Sequence, residues 1–417
     1  MISVSHTTKI IKANIKLPAS KSISNRVLVI QFLMKKSFQI ENLSECNDTV
    51  DLVKAIQKIE KIEPNLNHQS TAIDVGEAGT SYRFLTALLS ILPGNYELCG
   101  SEQLMKRPIL PLVSALNELG AEILTNNGTG PLTIKGKQIN GGYVAIDANI
   151  SSQFITALML VAPYFNEGLT LELKGKIVSM SYIKMTVTLM RRFGAQVDIE
   201  DQIIRIKQGG YQSSIDTFKV ESDWTAASYW YAFAALSTEC NLELDGLENE
   251  SLQGDSIASD LFVLYGVKSY FEQNKVMIAK MNNSGFINIF DFIDQPDLVQ
   301  TFVFLNTSLG LSLQVNNAAN LMLKETNRIE AISEEIQRIG AKLVIQSGDD
   351  FYVENQSPKL KPNSIFKTYK DHRMAMSAAI LAMKFSDIQI AEEQVVAKSY
   401  PKFWEDLKLA GFEIKKL

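Results

Sequence analysis

The sequence predicts an α/β protein of two domains, each assembled from three similar units. Two observations carry that prediction. A segment of one kind recurs along the chain: an amphipathic helix, a glycine, then a β-rich run. It appears as LVSALNELGAEIL (112–124), TVTLMRRFGAQVDI (186–199), ASDLFVLYGVKSYF (258–271), AISEEIQRIGAKLVI (331–345) and FWEDLKLAGFEIKKL (403–417). The glycines Gly120, Gly194, Gly266, Gly340 and Gly411 mark a period of roughly 73 residues. Each suits the left-handed position that ends a helix before the chain turns into a strand. DTVDLVKAIQKIE (48–60) reads as a sixth, degraded copy. The second observation is another recurring helix: GTSYRFLTALLSIL (79–92), SSQFITALMLVAPYF (151–165), TAASYWYAFAALS (225–237), DLVQTFVFLNTSLG (297–310) and HRMAMSAAILAMKF (372–385). These are apolar on nearly all sides, so they belong in the middle of a domain with the glycine-ended helices outside. A boundary is expected near Glu221–Asp223, and the absence of a Pro/Gly/Ser-rich linker there implies tight hinges.

Composition narrows the function. The 417 residues are 46% hydrophobic and 21% charged, enough apolar content for sizeable cores. A net charge of −5 argues against a general nucleic-acid-binding surface, so any anion must be held by local basic clusters. Cys46, Cys99 and Cys240 lack CxxC spacing and fit a reducing compartment, Cys99 and Cys240 reading as buried small hydrophobes. His6, His68 and His372 are too few and too dispersed for a histidine metal site. No apolar stretch reaches the ~20 residues of a membrane span, and MISVSHTTKIIKANIKLP has neither signal-peptide nor transit-peptide character. A cytoplasmic protein without membrane or nucleic-acid partners is expected.

Taken in order, the elements begin with LPASKSISNRVLVIQFLMKK (17–36), which loads one helix start with three serines, a lysine and an arginine. One serine suffices as a cap; the surplus donors, with the helix dipole, describe an anion site. RPILPL (107–112) reads as a helix entered through Pro108. Ser151, Ser152 and Gln153, then Asp223 and Thr225, open two of the apolar helices. QPDLVQ (295–300) reads locally as Asp297 capping a helix behind Pro296. KETNRIEAI (324–332) reads as Glu325 and Arg328 in a routine i,i+3 surface pair. DHRMAM (371–376) reads as a cap and a solvated turn. Arg83 and Arg373 resist such readings. A cation in the first turn opposes the helix dipole, and a buried arginine needs partners. Either internal carboxylates satisfy them or a ligand does. Together Lys21, Arg26, Arg83, Arg107, Lys324, Arg328, Arg373 and Lys398 fall at corresponding element ends in both halves. Their convergence would make a cationic cleft suited to a small, multiply anionic substrate.

From about residue 16 to 405 the chain resembles the EPSP synthase family of enolpyruvyl transferases. LPASKSISNR is similar to that family's LPGSKS-x-SNR, and GEAGTSYRFLTA to its GNAGTAMRPLTA. KRPI, SSQFITALM, SYI, QPD, KETNR, YKDHRMAM and AKSYP follow in the same order. The resemblance implies the two-domain inside-out α/β barrel, each domain having three βαβαββ repeats with buried parallel helices. It places one domain at 16–221 and the other at 1–15 with 222–417, with the active site in the cleft between them. It implies transfer of the enolpyruvyl group of phosphoenolpyruvate to the 5-hydroxyl of shikimate 3-phosphate, by a monomer needing no cofactor. By resemblance, Lys21, Ser22, Arg26, Ser151, Ser152, Gln153, Ser179, Tyr182, Asp297, Asn320 and Lys324 hold shikimate 3-phosphate. Lys21, Gly79, Arg107, Gln153, Arg328, Arg373 and Lys398 surround phosphoenolpyruvate. Asp297 is the expected base at the substrate hydroxyl, Glu325 transfers the proton at C3, and Lys21 assists at the 5-oxygen and leaving phosphate.

The chain departs from the family pattern in four places. Glu77 stands where asparagine is usual, Phe84 replaces a proline, Met180–Ser181 replaces Lys–Pro, and Asn327 replaces an aspartate. Glu77 is expected to repel phosphoenolpyruvate unless a cation neutralises it, while the retained Gly79 implies some sensitivity to glyphosate. Three rivals stand beside this reading. The related transferase acting on UDP-N-acetylglucosamine carries Lys-Asn at the early motif and a mobile cysteine loop absent here. A non-catalytic anion binder would not need Lys21, Asp297 and Glu325 together. An RNA 3′-phosphate cyclase relative is disfavoured by the acidic charge balance.

Overall fold

The computed structural model describes every residue except 37, 63–69, 282–284, 287 and 356; His68 therefore lies outside the described residues. The chain packs as two units, Lys21–Val220, and Met1–Ser20 together with Glu221–Leu417. The first crossing comes later than residue 16 for a local reason. Ala19 makes an antiparallel bridge to Ser222, the Ser20 amide donates to the Glu221 carbonyl (2.9 Å), and the Asp223 amide donates to the Pro18 carbonyl (2.8 Å). These bonds keep the chain up to Ser20 within the two-segment unit.

Each complete repeat runs strand, buried helix, parallel strand, outer helix, hairpin. A parallel pair requires a crossover long enough for a helix, whereas the hairpin adds its strands antiparallel. In the Lys21–Val220 unit the sheets have the order Thr71–Asp74, Gly94–Cys99, Thr129–Gly136, Glu122–Asn126, and Gly142–Asp147, Leu169–Lys174, Ile203–Ile206, Val197–Glu200. The third sheet keeps only the parallel pair Gln39–Glu41 and Thr217–Lys219 among the described residues. That is the degraded copy: its outer helix Asn47–Glu60 forms, but ends at Lys61 in a right-handed conformation without a glycine.

The two-segment unit holds three complete repeats, and it needs the chain's first residues to do so. Ile10–Lys16 runs parallel to Glu239–Asp245, from Ile10 opposite Glu239 to Lys16 opposite Asp245. Ile2–Ser5 inserts antiparallel between Ile388–Ile390 and Glu413–Lys416, completing the last repeat. The middle sheet has the order Ile289–Asp291, Leu313–Asn316, Asp350–Glu354, Lys342–Ser347.

The recurring glycines do what their positions require. Gly120, Gly194, Gly266, Gly340 and Gly411 have φ of +107°, +86°, +71°, +84° and +93°. At Gly194 an added Cβ would also lie 2.1 Å from the Gln212 carbonyl oxygen. The outer helix at 258–271 is shorter than its periodicity implies, because its last turn tightens to a 3-10 turn, Phe262–Tyr265, before Gly266. The helix after Arg107 starts at Leu110 with Pro111 in its first turn, not at Pro108.

The inner helices Lys21–Met34, Gly79–Ile91 and Ser152–Val161 pack on one another in one unit, and Trp224–Leu236, Val299–Leu309 and His372–Ile380 do so in the other. Every residue from Trp224 to Ala235 is buried. Three hydroxyls inside these helices donate to carbonyls one turn back: Thr86 to Tyr82 (2.7 Å), Thr307 to Val303 (2.7 Å) and Ser308 to Phe304 (2.8 Å). Cys46 and Cys240 are buried and Cys99 half-buried, all as free thiols; burial pushes the Cys240 thiol up to about 12. Among the described residues no helix is long and apolar enough to cross a membrane.

Glu221, the first residue after the second crossing, is buried. Its carboxylate accepts from the Ser251 hydroxyl (2.7 Å) and the Leu252 amide (3.0 Å). Burial outweighs these bonds and pushes its pKa from 4.5 up to about 7. The folded chain therefore holds a proton here that the unfolded chain gives up, so this group's contribution to stability falls as pH rises from 4.5 to about 7 and is flat above. Glu221→Gln cannot ionise, so its stability relative to wild type should rise by on the order of 3 kcal/mol between pH 4.5 and 8. Urea unfolding at those two pH values measures this; a pH-independent difference contradicts it.

Candidate active site

The two-segment unit builds its densest charge cluster where its inner helices begin. Arg328, first residue of the helix Arg328–Ile336, is 1% exposed and reaches three carboxylates. Nη1 donates to Asp297 Oδ1 (3.0 Å), Nη2 to Glu325 Oε2 (2.8 Å), and Nε to Asp371 Oδ2 (2.8 Å). Arg373 donates from Nη2 to the other Asp297 oxygen (2.7 Å), and Lys324 Nζ lies 3.8 Å from Asp297 Oδ1. Burial alone would raise the Asp297 pKa, but Arg373, Lys324 and Arg328 outweigh it and hold the carboxyl well below the usual range. Burial lowers the Lys324 pKa, against the pull of Asp297. Asn320 is buried in the 3-10 turn Ala319–Leu323, just before Lys324. Lys398 Nζ donates to the Lys370 carbonyl (2.8 Å), one residue before Asp371.

Three local readings change here. Asp297 does not cap a helix. It sits in the 3-10 turn Pro296–Leu298, and the helix Val299–Leu309 begins after Leu298 with no side-chain cap. Glu325 and Arg328 do pair at i,i+3, but Arg328 is an interior residue and not a surface one. Asp371 does cap its helix, accepting the Arg373 amide (2.9 Å), while its other oxygen takes Arg328.

The Lys21–Val220 unit holds its cations differently. Arg26 is 3% exposed, and all three of its nitrogens are engaged: Nε with the Thr186 hydroxyl (2.8 Å), Nη1 with the Ser22 carbonyl (2.7 Å), Nη2 with the Thr156 hydroxyl (3.3 Å). The rings of Phe84 and Tyr182 lie 5.7 and 5.9 Å from its guanidinium carbon. Phe84, a departure from the family pattern, thus packs as an aromatic face beside a buried cation. Burial lowers the Arg26 pKa to about 10, which leaves it charged at neutral pH. Lys21 Nζ donates to Asp48 Oδ2 (3.0 Å). Arg83 donates to the carbonyls of Gly79 (3.0 Å) and Pro108 (3.3 Å). A Cβ at Gly79 would stand 2.5 Å from Arg107 Nη1 and 3.0 Å from Arg83 Nη1, so both arginines crowd this helix start. Ser151 caps the helix Ser152–Val161, and the Gln153 side chain donates to the Thr80 hydroxyl (3.2 Å). Ser179 is buried with φ +57° immediately before the helix Met180–Arg192. Glu77 is exposed in the turn before Gly79, where solvent and salt screen its charge. Asn327 caps its helix by accepting the Glu330 amide (3.4 Å), a role aspartate fills equally well.

Asp48 and Asp255 belong beside these residues and were not singled out from sequence. Asp255 is buried, accepts the Thr225 hydroxyl, and has its pKa raised to about 7 by burial and then by Asp297. Its only sequence signal is an aspartate in an otherwise polar turn, SLQGDS. Among the described residues no group of three His, Cys, Asp or Glu side chains is arranged to hold a metal ion.

The Arg328 cluster is structural as well as chemical, because one buried cation serves three carboxylates. Arg328→Met should cost about 3–5 kcal/mol and lower the unfolding temperature by roughly 10 °C. Arg373→Met, which relieves one carboxylate oxygen, should cost less. Thermal unfolding followed by circular dichroism measures both, and an Arg328→Met chain that melts with wild type contradicts the assignment.

The chain matches, over residues 6–407, the family profile described as EPSP synthase (3-phosphoshikimate 1-carboxyvinyltransferase). It is 42% identical over 408 residues to the 3-phosphoshikimate 1-carboxyvinyltransferase of Bacteroides fragilis strain YCH46, covering 97% of each chain. It is 34% identical to the protein of that name from Pseudoalteromonas translucida, covering 95% of this chain and 96% of the other. The solved EPSP synthase of Acinetobacter baumannii shares its fold, with a TM-score of 0.75 at 20% identity over 100% of this chain and 99% of that one. The repeats, the helix-start clusters and these relatives agree, and the chain belongs to the EPSP synthase family.

Proposed function

We propose that this chain transfers the enolpyruvyl group of phosphoenolpyruvate to the 5-hydroxyl of shikimate 3-phosphate, releasing inorganic phosphate. The reading rests on family membership and on one observation above all. Adjacent nitrogens of the Arg328 guanidinium hold Asp297 and Glu325 side by side. Two carboxyls are what the reaction asks for. C3 of phosphoenolpyruvate gains a proton while the 5-hydroxyl loses one and its oxygen bonds to C2. The resulting tetrahedral intermediate then loses a proton from C3 and its phosphate from C2, restoring the double bond. Glu325 is assigned the proton at C3 and Asp297 the proton of the hydroxyl.

The cations explain how such a base is kept inactive until needed. Without substrate, Asp297 is ionised but a weak base, because Arg373, Lys324 and Arg328 hold its proton affinity down. A phosphate or carboxylate that recruits Arg373 withdraws one of those charges and raises the basicity of Asp297 as the complex forms. Ser22, Arg26, Ser151, Ser152, Gln153, Ser179, Tyr182, Asn320 and Lys324 are assigned to shikimate 3-phosphate. Gly79, Arg107, Arg328, Arg373 and Lys398 are assigned to phosphoenolpyruvate, and Lys21 to the reacting oxygen and the leaving phosphate.

A phosphate-release assay with phosphoenolpyruvate and shikimate 3-phosphate tests the activity. Release is expected with this acceptor and not with UDP-N-acetylglucosamine; the reverse result, or none, overturns the reading. Glu325→Gln should lower kcat by about 100-fold or more with little change in substrate KM, and unchanged turnover removes Glu325 from proton transfer.

Gly79→Ala gives a separate test of the phosphoenolpyruvate assignment. Its Cβ would displace the Arg107 guanidinium, and loss of one charge-assisted bond should raise the phosphoenolpyruvate KM roughly tenfold with the unfolding temperature little changed. An unaltered KM in steady-state kinetics dissociates Arg107 from that substrate.

A further inference from the structure

The turn that leads into Asp371 is held in a conformation its residues do not favour. Tyr369 and Lys370 have φ of +54° and +56°, adjacent in the left-handed region, where a Cβ is crowded by the following carbonyl. Something outside the turn must impose this, and the contacts identify it. The Tyr369 hydroxyl lies 2.7 Å from Glu334 Oε2 and 2.7 Å from Glu335 Oε1, and with one proton it donates to either. Burial, then the two carboxylates, raises the phenol's pKa far above its ordinary value, so that proton stays in place. Glu335 is 1% exposed and its carboxylate also accepts from Arg338 Nε (2.7 Å) and from the Lys367 amide (3.1 Å). One buried carboxylate thus ties the helix Arg328–Ile336 to both sides of Thr368. The left-handed pair that results directs the Lys370 carbonyl to Lys398 Nζ at 2.8 Å.

We propose that Glu335 and Tyr369 are positioning residues for Lys398. They brace the strained turn whose carbonyl at Lys370 sets where the Lys398 ammonium stands to meet phosphoenolpyruvate. Neither residue is assigned to touch a substrate; both act through the backbone of the turn. The inference rests on the assignment of Lys398 to phosphoenolpyruvate made above. Its geometry, a strained turn with a buried anchor at one end and a bound ammonium at the other, does not depend on that assignment. A bracket of this kind is needed because lysine has a long, flexible stem and three rotatable donors. An acceptor fixed by the backbone restricts where it can wait, which lowers the ordering cost on binding.

Steady-state kinetics of the full chain carrying Tyr369→Phe, Lys398→Met and the pair together test this. Tyr369→Phe should raise the phosphoenolpyruvate KM about fivefold while kcat and the shikimate 3-phosphate KM stay within about twofold. In the Lys398→Met background the same substitution should have no further effect on that KM, since nothing remains for it to position. Glu335→Gln should show the same selective KM effect if it folds; if it does not, Tyr369→Phe decides alone. A Tyr369→Phe chain with unchanged phosphoenolpyruvate KM, with both KM values raised alike, or with its full effect retained beside Lys398→Met overturns the proposal. Lys398→Met with an unaltered phosphoenolpyruvate KM overturns instead the assignment of Lys398, and the proposal with it.

Discussion

The two-segment unit is organised around the guanidinium of Arg328. A buried arginine is tolerable only if its charge and its donors are matched. Here the match comes from three places in the chain: Asp297 in a 3-10 turn, Glu325 just before the arginine's own helix, and Asp371 capping a helix of the next repeat. Apolar side chains packed in place of the arginine and its carboxylates together would serve stability as well. What the ion pairs add is placement. They hold two carboxyls on adjacent nitrogens, at a separation and orientation that flexible surface side chains do not keep.

The repeat explains why such a cluster forms from residues so far apart in sequence. Each inner helix is buried along its length, so its charged side chains gather near the start. Three repeats pack their inner helices together, and the helix starts are gathered with them. Asp223 capping Trp224–Leu236, Asp297 before Val299–Leu309 and Asp371 capping His372–Ile380 are equivalent positions of successive repeats. Arg328 touches two of them, and Asp255 is bonded to Thr225 in the first turn of the third helix. The same rule puts Lys21, Gly79 and Ser151 at the starts of the inner helices of the other unit.

This is also where sequence reading succeeded and where it failed. The left-handed glycines and the all-apolar helices are local features, set by backbone sterics and by burial along one element, and both were legible. Asp297 and Arg328 were locally misleading. An aspartate behind proline at a helix start has the composition of a cap, and Glu325–Arg328 has the spacing of a surface pair. Nothing within ten residues of either reports that the arginine is interior, because its burial comes from Asp297 and Asp371 in other elements. Motif resemblance supplied what periodicity lacked, since it reads both ends of those contacts at once. It supplied nothing for Phe84 or Tyr369, whose roles lie in a ring face and in a turn. The positive φ of Tyr369 and Lys370 is unexpected for residues with no preference for that region.

The two units solve the problem of a buried cation in opposite ways, and the difference matches the chemistry assigned to each. Arg26 is surrounded by threonine hydroxyls, backbone carbonyls and two rings, none of them anionic, so its charge is solvated but not cancelled. In a medium of low polarity such a charge acts over a distance on any anion that approaches. Arg328 and Arg373 are instead matched by Asp297, Glu325 and Asp371, so that their field is largely spent internally until a competing anion arrives. An uncancelled cation suits a group whose task is to hold a phosphorylated substrate throughout. A cancelled one suits a group whose partner is assigned a proton transfer, because an anion that drew the cation away would raise that partner's proton affinity. The net acidity of the chain is compatible with both, since neither depends on the charge of the whole molecule, only on what stands within a few ångströms of each guanidinium.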